Sequence, residues 1–228
     1  VVQLTPTPFQ MQRPVRQEIS GMLPANSHRA VNRHPTHIIF NEDHTATDDE
    51  NLLKSYSKSC RKKIRRARRE GLSITTSIEP KEAYGLFKLL LNQKGKEVPI
   101  PLPEFEKLHE HLQPDGDLLQ GVVDPEGTLQ TALWVVCDNK TGYLLISGID
   151  KNRAHHDAGR LLRHEAIKTI LRSGRNFDFE GSSIPTVAAL HRQFNPSRIE
   201  LETLSLVNSR TVRWGNPILK ALTGKRLY

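Results

Sequence analysis

Cysteine is scarce, with only Cys60 and Cys137 in 228 residues. One falls in a basic segment and the other in an apolar one, so neither a disulfide framework nor a zinc-binding cysteine cluster is built. Long apolar runs are missing too: no stretch reaches the roughly 20 residues that a membrane helix needs. The N-terminus has no charge-then-apolar signal pattern. A soluble protein of a reducing, cytoplasmic compartment is expected. There is no His-Glu-x-x-His motif, no Gly-x-Ser-x-Gly nucleophile elbow, no internal repeat and no low-complexity tract. A metal site is therefore not expected. The chain starts at Val1-Val2 rather than Met, and residues 1–50, with Pro6, Pro8, Pro14, Pro24 and Pro35, show little helical periodicity. Upstream residues are expected to be missing.

What the chain has in excess is local. Net charge is +8, and Lys54, Lys58, Arg61, Lys62, Lys63, Arg65, Arg66, Arg68 and Arg69 put nine bases into residues 54–69. The same stretch carries an apolar stripe, Leu53, Tyr56, Cys60, Ile64 and Ala67, at spacings of three and four. Acidic residues at Asp48-Asp49-Glu50 oppose the positive end of a helix macrodipole, and Gly71 supplies a stop. One long helix from there to Glu70 is predicted, buried on one face and cationic on the other. The cationic face reads either as a solvated surface or as a cradle for phosphates of tRNA, a nucleotide-bearing cofactor or a lipid pyrophosphate. Arg61, Lys62, Arg65, Arg68 and Arg69 are the residues such a cradle would use.

The remaining elements follow from periodicity. His37–Phe40 and the alternating Leu72–Ile78 read as strands, Pro80–Lys94 and Glu104–Leu112 as helices separated by the Pro99, Pro101, Pro103 link. Three strands in succession are predicted over 117–123, 128–137 and 142–149, joined by Asp124-Pro125-Glu126-Gly127 and Asp138-Asn139-Lys140-Thr141-Gly142. A helix then carries Leu161, Leu162, Ala166 and Ile170 on one face and stops at Gly174. In Phe177-Asp178-Phe179-Glu180 a period of two puts aromatics on one side and carboxylates on the other. A helix beginning near Pro185 and an alternating strand over Ile199–Leu204 complete the order, before a tail containing Trp214, Lys225 and Arg226.

From Leu72 onward that order, together with SxxCRKKIRRARREG, YLLISGID, LLRHEAI, FDFEGS and HRQF, resembles the Fem branch of the GNAT acyltransferases. This branch includes bacterial peptidoglycan-bridge aminoacyltransferases, often named methicillin-resistance proteins. The resemblance implies an α/β fold with a mixed, mostly antiparallel central sheet flanked by helices. It implies a partial N-terminal GNAT-like half over 1–50, a basic linking helix over 51–71, a GNAT-like domain over 72–207 and a tail over 208–228. The implied activity is transfer of an acyl or aminoacyl group from an activated donor, acyl-CoA or aminoacyl-tRNA, to an amine acceptor.

An amine attacking an ester or thioester needs a base for its proton and cations for the donor's phosphates. Asp178 and Glu180, beside a loop-to-helix turn, are candidates to bind or deprotonate the acceptor; their alternative is a solvent-facing pair that caps Ser183 or meets Arg175. Ser182 and Ser183 read as helix caps. Arg192 is expected to point away from Val187, Leu190 and Phe194 and to reach back to Glu180, as catalytic partner or simple ion pair. GNAT enzymes that use acyl-CoA carry a Q/R-x-x-G-x-G/A loop whose backbone N–H groups hold pyrophosphate. Here Arg153-Ala154-His155-His156-Asp157-Ala158 matches at Arg153 and Ala158 but has His156 in place of glycine, which disfavours acetyl-CoA. Arg153 and the nearby Arg160 are the donor-phosphate candidates, and His155 and His156 read as solvated. A non-catalytic module that keeps this scaffold and binds RNA or another polyanion through the basic helix is the other functional reading.

Overall fold

The structure, a computed structural model, describes residues 2–4, 28–44, 48–93, 95–113, 116–150, 154–181 and 185–207. The chain divides into two units, Val1–Thr36 with Ile199–Tyr228, and His37–Arg198. In the smaller unit, β1 (Val2–Leu4) pairs antiparallel with β8 (Ser197–Val207), Leu4 lying opposite Leu204. The expected strand at Ile199–Leu204 lies within β8. Ser182, Ser183, Arg153 and the tail with Trp214, Lys225 and Arg226 lie outside the described residues.

The larger unit is a mixed sheet covered on both faces. Its strands are the end of β2 (His28–Ile39), β3 (Ser73–Thr75), β4 (Leu118–Val123), β5 (Leu129–Cys137), β6 (Thr141–Ile149) and β7 (Asn176–Asp178), in the order β2-β7-β6-β5-β4-β3. All neighbours run antiparallel except β6 and β7, which are parallel and joined by helix α5 (Ala158–Arg172). Such a crossover needs a helix because parallel strands cannot be linked by a tight turn. The period of two in β5 sorts the core. Leu133 and Val135 belong to one buried cluster with Leu53, Ile64, Leu162, Ile170 and Phe177; Ala132 and Trp134 belong to another with Ala83, Phe87 and Phe105. The first cluster lies under α1 (Asp49–Ser55), α2 (Lys58–Arg69) and α5, the second under α3 (Pro80–Asn92) and α4 (Leu102–Leu112).

The single long helix expected over 48–70 is two. Tyr56 takes an extended backbone (φ −79°, ψ 164°), and Ser57 caps α2 by accepting from Cys60 N at 3.2 Å. The break is held from both sides: Ser57 N donates to the Gln193 carbonyl, and Arg61 donates to the carbonyls of Lys54 and Tyr56. The strand expected over 72–78 shortens to β3, because β4 offers partners only to Ser73–Thr75.

The feature that positions the site is where β6 and β7 part. Their pairing covers Thr141–Tyr143 with Asn176–Asp178, yet β6 continues to Ile149. Just past the parting, the β5–β6 register shifts so that Trp134 faces Ile146 and Val135 faces Leu144, which leaves Leu145 as a bulge residue.

Candidate functional site

The gap left by the parting strands is a cleft of about 440 Å³. Leu144–Ile149 form one wall, Gly159, Arg160 and Arg163 of α5 another, and Thr186, Val187, Leu190 and His191 of α6 (Pro185–His191) a third. Glu180 and Gly181 stand in it beside Phe179. Leu90 and Leu91 of α3 also line it, a helix brought so close to β6 that a Cβ on Gly148 would meet the Leu86 carbonyl carbon at 2.5 Å.

The two sequence-predicted carboxylates take different places. Phe177 and Phe179 pack edge to face in the core, 5.0 Å between centroids. Asp178, on the other side of the strand, is also buried, because β7 is flanked by β2 and β6, so the alternative of a solvent-facing pair does not hold for it. Asp178 Oδ1 accepts from Glu180 N at 2.8 Å, and this contact fixes a left-handed backbone at Glu180, φ 62°. Glu180 is exposed at the cleft. Partial desolvation there, and then the Asp178 charge, raise its carboxyl above the ordinary glutamate value. Arg192 does not reach back to it: Arg192 is exposed in a 3-10 turn, with no hydrogen bond to Glu180 among the described residues. Arg175 donates to the Asp138 carbonyl and Ser173.

A model of the acetyltransferase (GNAT) domain family matches residues 54–183. The chain belongs to that family. Among solved structures, FemX is similar with a TM-score of 0.63 and 14% identity, covering 84% of this chain and 64% of that one. L-PGS from Bacillus licheniformis is similar at TM-score 0.55 and 11% identity, with 87% and 68% covered. A tandem GNAT protein from the clavulanic acid biosynthesis pathway is similar at TM-score 0.52 and 13% identity, with 86% and 59% covered. The chain thus spans just under two thirds of FemX. No curated protein matches it. No helix among the described residues is long and apolar enough to cross a membrane.

In this GNAT domain the loop before α5 has already spent backbone donors that would face a pyrophosphate. His155 N donates to Gln130 Oε1 and Asp157 N to His155 Nδ1, while Ala158 N and Arg160 N donate to the carbonyls of His155 and Asp157. Asp157 itself is fully buried at the helix start, paired with Arg66 Nε at 2.6 Å, and its Oδ1 has no partner. A carboxylate at that position holds the dipole's positive end in place of a phosphate. His155 is not free either; it bonds Glu70 and stacks on His156, 4.7 Å between centroids.

The basic helix divides in the same way. Arg68 donates to both Asp49 oxygens, at 2.7 and 2.9 Å, and to Glu165 at 2.8 Å. Lys168 and His164 meet Asp49 as well. Asp49, His164 and Glu165 have the spacing of a metal triad, but Arg68 and Lys168 already neutralise the carboxylates there. Arg68 therefore ties α2 to α1 and α5, and Arg61 ties α2 to the end of α1, contacts that occupy both guanidiniums in place of the phosphate cradle expected of them. Arg65 pairs with Glu50 at the surface at 2.7 Å. Lys62 and Arg69 are exposed and make no ion pair among the described residues, as is true of Lys58. Arg160 lines the cleft, its Nε donating to Gln193 Oε1 at 3.0 Å.

Two cleft residues were not singled out from sequence, Arg163 and His191. His191 is buried and stacked on Phe179 at 4.6 Å; desolvation, then Arg163 and His37, bring its pKa down to about 3. The available signal was spacing: Gly159 and Arg163 stand at i, i+4 on α5, off the Leu161, Leu162, Ala166 stripe that was read as its buried face.

Proposed function

We propose that this GNAT domain is the transferring half of an enzyme that moves an acyl or aminoacyl group from an activated donor to an amine, in modification of a cell-wall precursor. The observation that carries this reading is a cleft at the parting of β6 and β7 with a carboxylate of raised proton affinity beside it. The amine nitrogen attacks the carbonyl carbon of the donor ester or thioester. Glu180 takes the nitrogen's proton and returns it to the departing oxygen or sulfur. Backbone N–H groups of β6 around the Leu145 bulge, past the pairing with β7, are the donors for the carbonyl oxygen as it gains negative charge. Asp178 holds Glu180 in place and keeps it a stronger base.

Between the donors, the spent N–H groups and the buried Asp157 carboxylate favour an aminoacyl-tRNA over acyl-CoA. The exposed Lys58, Lys62 and Arg69 are then placed for its phosphates. The likeness to FemX supports a Fem-type acceptor through the fold. The test is incubation of the purified protein with labelled aminoacyl-tRNAs, or with acyl-CoA, and amine acceptors bearing a free amino group. Label in the acceptor, lost in Glu180→Gln, is the expected result; no transfer from either donor class would sink the reading.

A further inference from the structure

Three half-buried cations of this domain are matched by acids. Arg66 meets Asp157, and Arg68 and Lys168 share Asp49 and Glu165. Arg163 is not matched. Its guanidinium donates to two neutral acceptors, the Gly159 carbonyl at 2.9 Å and Ser147 Oγ at 2.8 Å, and its buried Nε has no partner. Among the cleft's ionisable groups Arg160 is of like sign and His191 is held uncharged, and Glu180, the one carboxylate lining the cleft, makes no hydrogen bond or ion pair with Arg163 among the described residues. Burial and then Arg160 bring its pKa down to about 10. Leaving a desolvated charge without a counter-ion costs several kcal/mol in general, so an uncompensated cation facing a cavity needs a reason.

We infer that Arg160 and Arg163 form the receptor for one oxyanion, a phosphate ester or a carboxylate, carried by a substrate of the transfer reaction. Leu144, Ile146, Val187 and Leu190 line the same cleft and take the uncharged portion next to it. The geometry suits an oxyanion because a guanidinium presents a planar fork of five donors, of which the two contacts above use one on each terminal nitrogen, and Nε has no partner at all. Bound there, the anion supplies the direct counter-ion that no side chain gives Arg163, and it bridges β6 to α5 through Arg163, which already touches both.

The inference rests on the cleft being the transfer site, but its test does not require turnover. In the full chain, the Nε–H resonance of Arg163, assigned by its disappearance in Arg163→Met, is followed by NMR during titration with inorganic phosphate and, separately, with acetate at matched ionic strength. A saturable shift is expected with at least one of them. The ion that binds more tightly identifies the phosphate or the carboxylate source. Arg163→Met is expected to keep or raise the thermal midpoint and weaken anion binding about tenfold or more, and Arg163→Lys to fall between. No shift with either ion, undiminished binding in Arg163→Met, or a large drop in its thermal midpoint would each overturn the inference. Anion binding without acyl transfer would remove the transferase reading and leave the receptor; transfer without anion binding would do the reverse.

Discussion

Glu180 combines a left-handed backbone, φ 62°, with a carboxyl whose proton affinity is raised in the cleft. A non-glycine residue in that region costs on the order of 1 kcal/mol, and such strain persists where the surroundings enforce it. Two substitutions separate chemistry from strain. Glu180→Gln is expected to lower kcat about 100-fold or more with little change in KM, measured by initial rates. Glu180→Gly is expected to lose transfer equally but to gain about 1 kcal/mol in urea unfolding, since glycine adopts this backbone freely. The acid limb of the pH–rate profile should then titrate above the ordinary glutamate value of 4.5. Asp178→Asn, which removes a charge that raises it, should move that midpoint downward; an unmoved midpoint would assign the limb to another group. The identity of both carboxylates was legible from the period of two in Phe177–Glu180. Their difference was not, because it depends on β2, a strand more than a hundred residues earlier, lying against Asp178.

At the scale of elements, α1 and α2 show why an unbroken stripe need not mean an unbroken helix. Leu53, Tyr56, Cys60, Ile64 and Ala67 stay in phase across the break, and the cause lies elsewhere, in the Ser57 cap and the Gln193 carbonyl. Ser57→Ala is expected to cost about 1 kcal/mol in chemical denaturation, the usual worth of such a cap. The packing of α3 on β6 is less forgiving. At Gly148 an added Cβ would lie 2.5 to 2.7 Å from the backbone of Leu86 and Phe87, which cannot swing aside as a side chain can. Gly148→Ala should therefore cost more than about 2 kcal/mol and disturb the cleft wall as α3 lifts. The β4, β5 and β6 hairpins were readable from alternation and turn residues to within a residue or so. The parting of β6 from β7 was not, since nothing in either strand alone marks where their partnership stops.

Across the whole molecule, buried histidines and a paired aspartate set the response to acid. His191 has a pKa of about 3 when folded, and burial lowers His37 and His164 as well, from an ordinary 6.5. Below about pH 6.5 the unfolded chain takes up protons that the folded chain refuses, so stability falls as pH drops. Asp49, held well below the usual carboxylate range first by Arg68 and then by Lys168 and His164 despite its burial, adds stability above its ordinary 3.8 that is lost below it. Stability is expected to decline by a few kcal/mol between about pH 7 and pH 4 and more steeply beneath that, measured by urea unfolding across pH. His191→Phe, which keeps the ring against Phe179, should flatten the upper part of that decline. The six residues of β6 beyond β7 have a further consequence for the protein's solubility. An open strand edge at the rim of a sheet invites another chain to add itself. This one lines a cleft of about 440 Å³ together with residues of α5 and α6, which stand beside it. Helices on both sides of the cleft thereby cover an edge that would otherwise be open to another chain, and zipping β6 to β7 along its full length would close the cleft.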